Sequence, residues 1–246
     1  MGVTIGVSPA RSAPPVASGS APLIRLEEVI KVFREGEVET IALRGIALTV
    51  SAGEFVAIMG RSGSGKSTLL NLLAGSDRPT AGRVVVDGTD VGRADEPTRA
   101  GLRGRSIGIA YQIDNLVPFL TLAENVALAG RLGGSTISGG DVDRLLTRVG
   151  IHNRAGHKPG QLSGGEQQRG ALACVLAAKP RVLLADEITG ELDSENARVV
   201  LDLLASLNES EGMTVVLVTH DPDVASVANR IVELQDGRIV RERLSR

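Results

Sequence analysis

The chain has 246 residues, 42% of them hydrophobic, one cysteine, 2% aromatic residues and a formal charge of −2 at pH 7. That is enough apolar material for one sizeable α/β core with a smaller subdomain, and neither the near-neutral charge nor the few stacking rings give reason to expect nucleic acid. A lone thiol excludes an internal disulfide framework and suits the cytosol, and no apolar stretch approaches the length that crosses a bilayer.

In chain order, residues 1–22 are rich in Pro, Ser and Ala and lack a hydrophobic core, so they read as a disordered tail and not as a signal peptide. Ile24, Leu26, Val29 and Val32 then suggest a half-buried strand, and Ile46, Leu48 and Val50 alternate in a later one. The charged stretch 34–39 between them is expected to be a hairpin turn. Phe55-Val56-Ala57-Ile58-Met59 has the profile of a strand buried on both faces. It runs into Gly60-Arg61-Ser62-Gly63-Ser64-Gly65-Lys66-Ser67, and Thr68 opens a helical pattern through Ala74.

That glycine-rich turn is a phosphate-binding loop. Gly60, Gly63 and Gly65 let the backbone turn tightly and direct N–H groups, including those of Arg61, Ser62 and Ser64, toward phosphate oxygens. The helix behind adds its positive N-terminal end. Lys66 can reach the β- and γ-phosphates of a nucleotide, and the Ser67 hydroxyl can ligate Mg²⁺. The expected ligands are therefore a nucleotide and Mg²⁺; that the nucleotide is ATP waits on the wider pattern below.

Further on, an apolar run at 107–111 precedes Gln112, and 120–126 reads as a helix start, broken by Gly133-Gly134-Ser135-Thr136. Leu162-Ser163-Gly164-Gly165-Glu166 follows, and a helix is expected from Glu166 onward. Its hydroxyl, free N–H groups and helix dipole make a second device for an anion. Val182-Leu183-Leu184 reads as a buried strand that delivers Asp186 and Glu187 at its carboxyl end, where open α/β sheets bind ligands. Asp186 is placed to hold Mg²⁺ through its second shell, and Glu187 to orient or deprotonate an attacking water. His220 ends a further apolar run, 215–219, on the same expected edge. From Asn196 to the end, helix and strand alternate and complete the sheet.

The phosphate loop, the Leu-Ser-Gly-Gly-Glu segment and the strand ending in Asp186-Glu187, in this order, resemble the ATP-binding subunit of an ATP-binding-cassette (ABC) transporter from about Leu23 to the end. The resemblance implies a RecA-like α/β core, an antiparallel β-subdomain and an inserted helical subdomain at about 113–175. It makes Phe33 the aromatic that stacks on adenine, Gln112 the Q-loop glutamine that senses Mg²⁺, and His220 the switch histidine at the γ-phosphate. It also implies a head-to-tail homodimer in the ATP state. Each ATP would lie between the phosphate loop (60–67, with Thr68) of one subunit and Ser163, Gly164, Gly165 and Glu166 of the other, with Asp193 crossing the interface. The implied partners are integral membrane permease subunits, and the implied place is the cytoplasmic face of the cell membrane.

Two stretches narrow the branch. Residues 112–126, running from Gln112 through Asn115-Leu116 and Pro118 to Glu124-Asn125-Val126, resemble the macrolide-export and lipoprotein-release group, as does 154–161. The resemblance leaves open whether the complex moves a solute or only transmits force, as in lipoprotein extraction or activation of a cell-wall hydrolase. Three positions depart from the family pattern: Cys174, where arginine is common, Ile188, where proline is usual, and Tyr111, where phenylalanine is common. The intact Lys66, Asp186, Glu187 and His220 argue against a dead regulatory cassette. One set of motifs argues against a tandem ribosome-associated protein, and the lack of coiled coils or zinc modules against a DNA-repair ATPase.

Overall fold

The structure is a computed structural model that describes residues 22–36, 38–113 and 115–245. The expected N-terminal tail lies, but for Pro22, outside the described residues.

The first strands are β1 (Ile24–Glu35) and β2 (Val38–Val50), followed by β3 (Phe55–Met59), helix α1 (Lys66–Leu73), β4 (Ala81–Val86) and the two-residue β5 (Thr89–Asp90). Helix α2 (Glu96–Arg105), strand β6 (Ile107–Ala110) and helices α3 (Leu122–Leu132), α4 (Gly139–Arg148) and α5 (Gly164–Ala177) come next. The chain closes with β7 (Val182–Asp186), α6 (Ser194–Glu211), β8 (Thr214–Thr219), the one-turn α7 (Pro222–Ala225), β9 (Arg230–Gln235) and β10 (Arg238–Leu244).

Two sheets result. One is antiparallel, in the order β2-β1-β4-β5; the other runs β10-β9-β3-β8-β7-β6, parallel except for the β9–β10 hairpin. The period of two along the parallel strands sorts their side chains between two cores. Val56, Ile58, Val182, Leu184, Val216 and Val218 face α1 and the antiparallel sheet, whereas Phe55, Ala57, Leu183, Ala185, Val215 and Leu217 face α3, α5 and α6. Apolar side chains on both faces are why these strands read as unbroken hydrophobic runs.

Register levels the carboxyl ends of the parallel strands. Met59 pairs with Thr219, Asp186 with Val218, and Ala110 with Ala185. The residues following β3, β6, β7 and β8 are therefore delivered to one edge.

Helix starts differ from the sequence pattern by two residues, and side-chain capping explains those of α3 and α5. Thr121 caps α3, accepting from the Glu124 N–H while the Glu124 carboxylate accepts from the Thr121 N–H, so the helix opens at Leu122 and not at Leu120. Ser163 and Glu166 form the same reciprocal pair, which starts α5 at Gly164 instead of Glu166. Helix α1 begins at Lys66, behind Gly65 in a left-handed conformation. Among the described residues no helix is long and apolar enough to cross a membrane.

Candidate nucleotide site

Between β3 and α1 the loop 60–65 is closely braced from outside. A Cβ at Gly60 would sit 2.3 Å from the Leu234 carbonyl oxygen, and one at Gly65 would sit 2.7 Å from that of Ala42, where φ is already +104°. Neither position admits a side chain. The Ser64 carbonyl accepts from the Gly237 N–H at 3.0 Å, so the β9–β10 turn props the loop from beneath. Lys66 opens α1 with its side chain buried, its Nζ donating to the Gly60 and Arg61 carbonyls at 2.8 and 3.1 Å. The loop thus curls around the ammonium and holds it at the helix N-terminus, where both the charge and the dipole favour an anion.

Glu187 takes the first turn after β7 with φ +47°, a left-handed conformation uncommon for a residue with a side chain. Its N–H donates to the Val218 carbonyl at 3.0 Å and its carbonyl accepts from the Gly190 N–H at 2.9 Å, which fixes the turn. The carboxylate is aimed between two partners: Oε2 lies 3.1 Å from His220 Nδ1 and Oε1 lies 3.7 Å from Lys66 Nζ. Met59, Gly60, Arg61, Ser62, Glu187, His220 and Pro222 line one cavity of about 500 Å³.

Asp186 sits lower, at the end of β7. Burial, with the neighbouring Glu187 charge adding to it, raises its carboxyl above the usual range, while Lys66 and the Ser67 hydroxyl pull the other way. Its Oδ1 is buried without a hydrogen-bond partner. An orphaned carboxylate oxygen beside a serine hydroxyl and under a phosphate loop is a donor set for a hard, oxygen-seeking cation that keeps several waters, and Mg²⁺ fits it.

A second cluster gathers around the start of α5. Ser163 caps the helix, and Glu166 is held by the Ser163 N–H at 2.8 Å and by Arg154 Nε at 2.7 Å, which keep its carboxyl below the usual range. Gly165 packs against Asn196 of α6, so closely that a Cβ there would lie 2.4 Å from Asn196 Oδ1. Asn196 in turn donates its backbone N–H and its Nδ2 to the two carboxylate oxygens of Asp193, at 2.8 and 2.9 Å. A Cβ at Gly164 would stand 3.4 Å from Leu192. Asp193 and the 163–166 segment therefore form one contiguous surface of the subunit.

Gln112 lies between the clusters. Its amide is within 3.2 Å of where a Gly190 Cβ would stand, next to the turn that carries Glu187. None of Ser163, Gly164, Gly165, Glu166, Asp193 and Phe33 lines the cavity at Glu187. Phe33 is 42% exposed near the end of β1, with the Lys31 ammonium 4.9 Å from its ring centroid. Thr68 is half-buried in the first turn of α1. Of the three departures, Ile188 is buried in the core, Cys174 is partly buried against it, and Tyr111 is 41% exposed. Sequence reasoning did not find Asn196, Gln168, Asn115, Leu234 or Gly237, whose roles rest on contacts remote along the chain.

The ABC transporter family profile matches residues 43–190. The chain belongs to the ABC transporter family. Among its relatives is the lipoprotein-releasing system ATP-binding protein LolD of Anaeromyxobacter dehalogenans, 47% identical over 94% of this chain and 96% of LolD. The macrolide export ATP-binding/permease protein MacB of Syntrophobacter fumaroxidans is also 47% identical, over 89% of this chain; the match spans only 31% of that longer protein. A solved dimeric, post-hydrolysis structure of the ATP-binding cassette MJ0796, bound to ADP and Pi, superposes with a TM-score of 0.84 at 41% identity, covering 91% of this chain and 99% of that one. Fold and family thus agree: this ABC ATPase is of the type found in MacB and LolD.

Proposed function

We propose that the chain hydrolyses ATP to ADP and phosphate, and that ATP-driven head-to-tail pairing of two copies powers a separate membrane permease. Residues 23–246 would act as one cassette, with about 113–175 as its helical arm. The observation that carries the reading is the common edge of β3, β7 and β8, which sets the start of the phosphate loop, Glu187 and His220 around one cavity, with Lys66 Nζ 3.7 Å from the Glu187 carboxylate. Lys66 would neutralise the β- and γ-phosphates. The Glu187 carboxylate would take a proton from the water whose oxygen attacks the γ-phosphorus as the bond to ADP breaks. His220 would hold that carboxylate in place and reach the γ-phosphate. Ser67, Asp186 (through water) and Gln112 would hold Mg²⁺, which when bound supplies charge neutralisation along the phosphates. Phe33 would stack on adenine.

The second half of each site would come from the other copy, through Ser163, Gly164, Gly165 and the α5 N-terminus, with Asp193 at the interface. The γ-phosphate supplies the anion that this terminus lacks, so its loss removes the differential contact between closed and open states. The 112–121 loop and the helical arm would grip a cytoplasmic helix of the permease, leaving the chain peripheral on the inner face of the membrane. The name of LolD supports a second reading of the same machine, in which the complex pulls a lipoprotein or transmits force instead of passing a solute.

Light scattering of the purified chain tests the pairing. Glu187→Gln with ATP·Mg²⁺ should be a dimer and with ADP a monomer, and adding Ser163→Arg should restore the monomer while ATP still binds. The same size in all three states would sink the sandwich.

A further inference from the structure

Behind Ser163 the first turns of α5 carry a side chain that no nucleotide contact uses. Gln168 is 6% exposed, in a helix whose following residues are mostly small and apolar. Its Nε2 donates to two main-chain carbonyls of the loop after β6: that of Tyr111 at 3.2 Å, and that of Gln112. Its Oε1 accepts from Asn115 Nδ2 at 3.4 Å. Asn115 closes the knot, donating Nδ2 to the Tyr111 carbonyl at 2.6 Å and accepting the Tyr111 N–H at 2.7 Å. Downstream, the buried Asn125 fixes the same loop by accepting the Val117 N–H at 2.7 Å and donating to the Val117, Leu120 and Thr121 carbonyls.

Gln168 thus connects two parts that belong to different phosphates. One is the helix that begins at Ser163; the other is the backbone that carries the Gln112 side chain to the Glu187 turn. A Gln112 carbonyl held by a rigid helix limits where the Gln112 amide can stand, because only ψ and its own side-chain torsions separate the two. Both Gln168 donors engage carbonyls in a part-buried setting; removing them takes the side-chain donor from the Gln112 carbonyl and leaves the Tyr111 carbonyl to Asn115 alone. We propose that Gln168 is a positioning residue: it ties the Q-loop backbone to α5, so that a shift of α5 on meeting the partner subunit's nucleotide moves Gln112 with it. The inference rests on the ATPase reading above, in which Gln112 serves Mg²⁺ and α5 serves the second ATP.

Two substitutions of nearly equal length separate the donors from the packing. Gln168→Met fills the same space without a donor, and Gln168→Glu sets carboxylate oxygens against two carbonyls. In steady-state assays each should lower kcat about tenfold and leave KM for ATP within about twofold, the pattern of a lost transition-state interaction. If Gln168 acts through Gln112, adding Gln168→Met to Gln112→Ala should cost less than about a further twofold. The second measurement needs no nucleotide. The Tyr111 amide, protected by Asn115, should exchange with solvent about tenfold faster in Gln168→Met, while amides in the middle of α5 keep wild-type rates.

Multiplicative losses in the double variant, an unchanged Tyr111 rate, or kcat within twofold of wild type in either single variant would overturn the proposal. A wild-type chain without ATPase activity would sink the ATPase reading instead, and the exchange rates would still decide whether the tie exists.

Discussion

Gly165→Ala isolates the contact between the 163–166 segment and the Asp193 loop. The new Cβ would stand 2.4, 2.7 and 2.9 Å from Oδ1, Cγ and Cβ of Asn196. Rotating the Asn196 side chain relieves the first two but not the third, so the start of α6 must also shift by a few tenths of an ångström. That rotation breaks the 2.9 Å bond from Asn196 Nδ2 to the Asp193 carboxylate. That bond is exposed and water replaces it, so the cost lies in the forced displacement, about 1–3 kcal/mol for overpacking of this kind. Against it stands a helix-propensity gain of up to about 1 kcal/mol for alanine over glycine. The net cost is about 1–2 kcal/mol, or a fall of about 2–8 °C in melting temperature for a domain of this size.

Calorimetry without nucleotide measures that fall, and equilibrium binding of a fluorescent ADP analogue, which does not draw two copies together, should show affinity unchanged within about twofold, since Gly165 lies outside the cavity at Glu187. Asn196→Ala removes the two nearest atoms, so a double-mutant cycle should give a coupling of at least about 0.5 kcal/mol between the two positions. A Gly165→Ala chain that melts at or above the wild-type temperature, or a cycle with no coupling, would refute the steric argument.

Asp186 gives a pH-dependent effect whose sign follows from its raised carboxyl. A carboxyl that binds its proton more tightly when folded carries a destabilising ionisation, absent below the unfolded value of 3.8 and felt progressively as pH rises through the higher folded value. Asp186→Asn should therefore melt above wild type at pH 7 without ligand, by a margin that shrinks toward pH 4, and should lose the extra stabilisation that Mg²⁺ adds to ATP. A margin that grows on acidification would show the sign to be wrong. Asn208, buried near the end of α6, donates Nδ2 to the Gly53 and Met213 carbonyls at 2.9 and 2.8 Å. Asn208→Ala leaves both acceptors unpaired and should cost about 2–3 kcal/mol in urea unfolding. An unchanged midpoint would mean that water replaces the amide.

What was legible in the sequence was what the chain places locally. The loop 60–67 follows its strand directly, Asp186 and Glu187 end theirs, and His220 comes one residue after β8, so recognising a buried strand also locates the residues that leave it. The level ends of β3, β7 and β8 then turn three local readings into one cavity without any further signal from sequence. Cap residues are legible as chemistry but not as boundaries: the sequence marks Ser163 as opening a helix, yet the start at Gly164 depends on the pairing of Ser163 with Glu166, which the apolar period does not report. Side chains that tie one element to another were not legible. Gln168 reaches across 56 positions to the Gln112 carbonyl, and Asn196 meets Gly165 only because α5 and α6 pack together. One trace of the first exists in the sequence, a buried-type amide in the turn just before the small apolar residues 170–177 of α5. A glutamine there must find partners or carry a desolvation cost. Sequence alone states that requirement, and only the fold identifies the Tyr111 and Gln112 carbonyls as the groups that meet it.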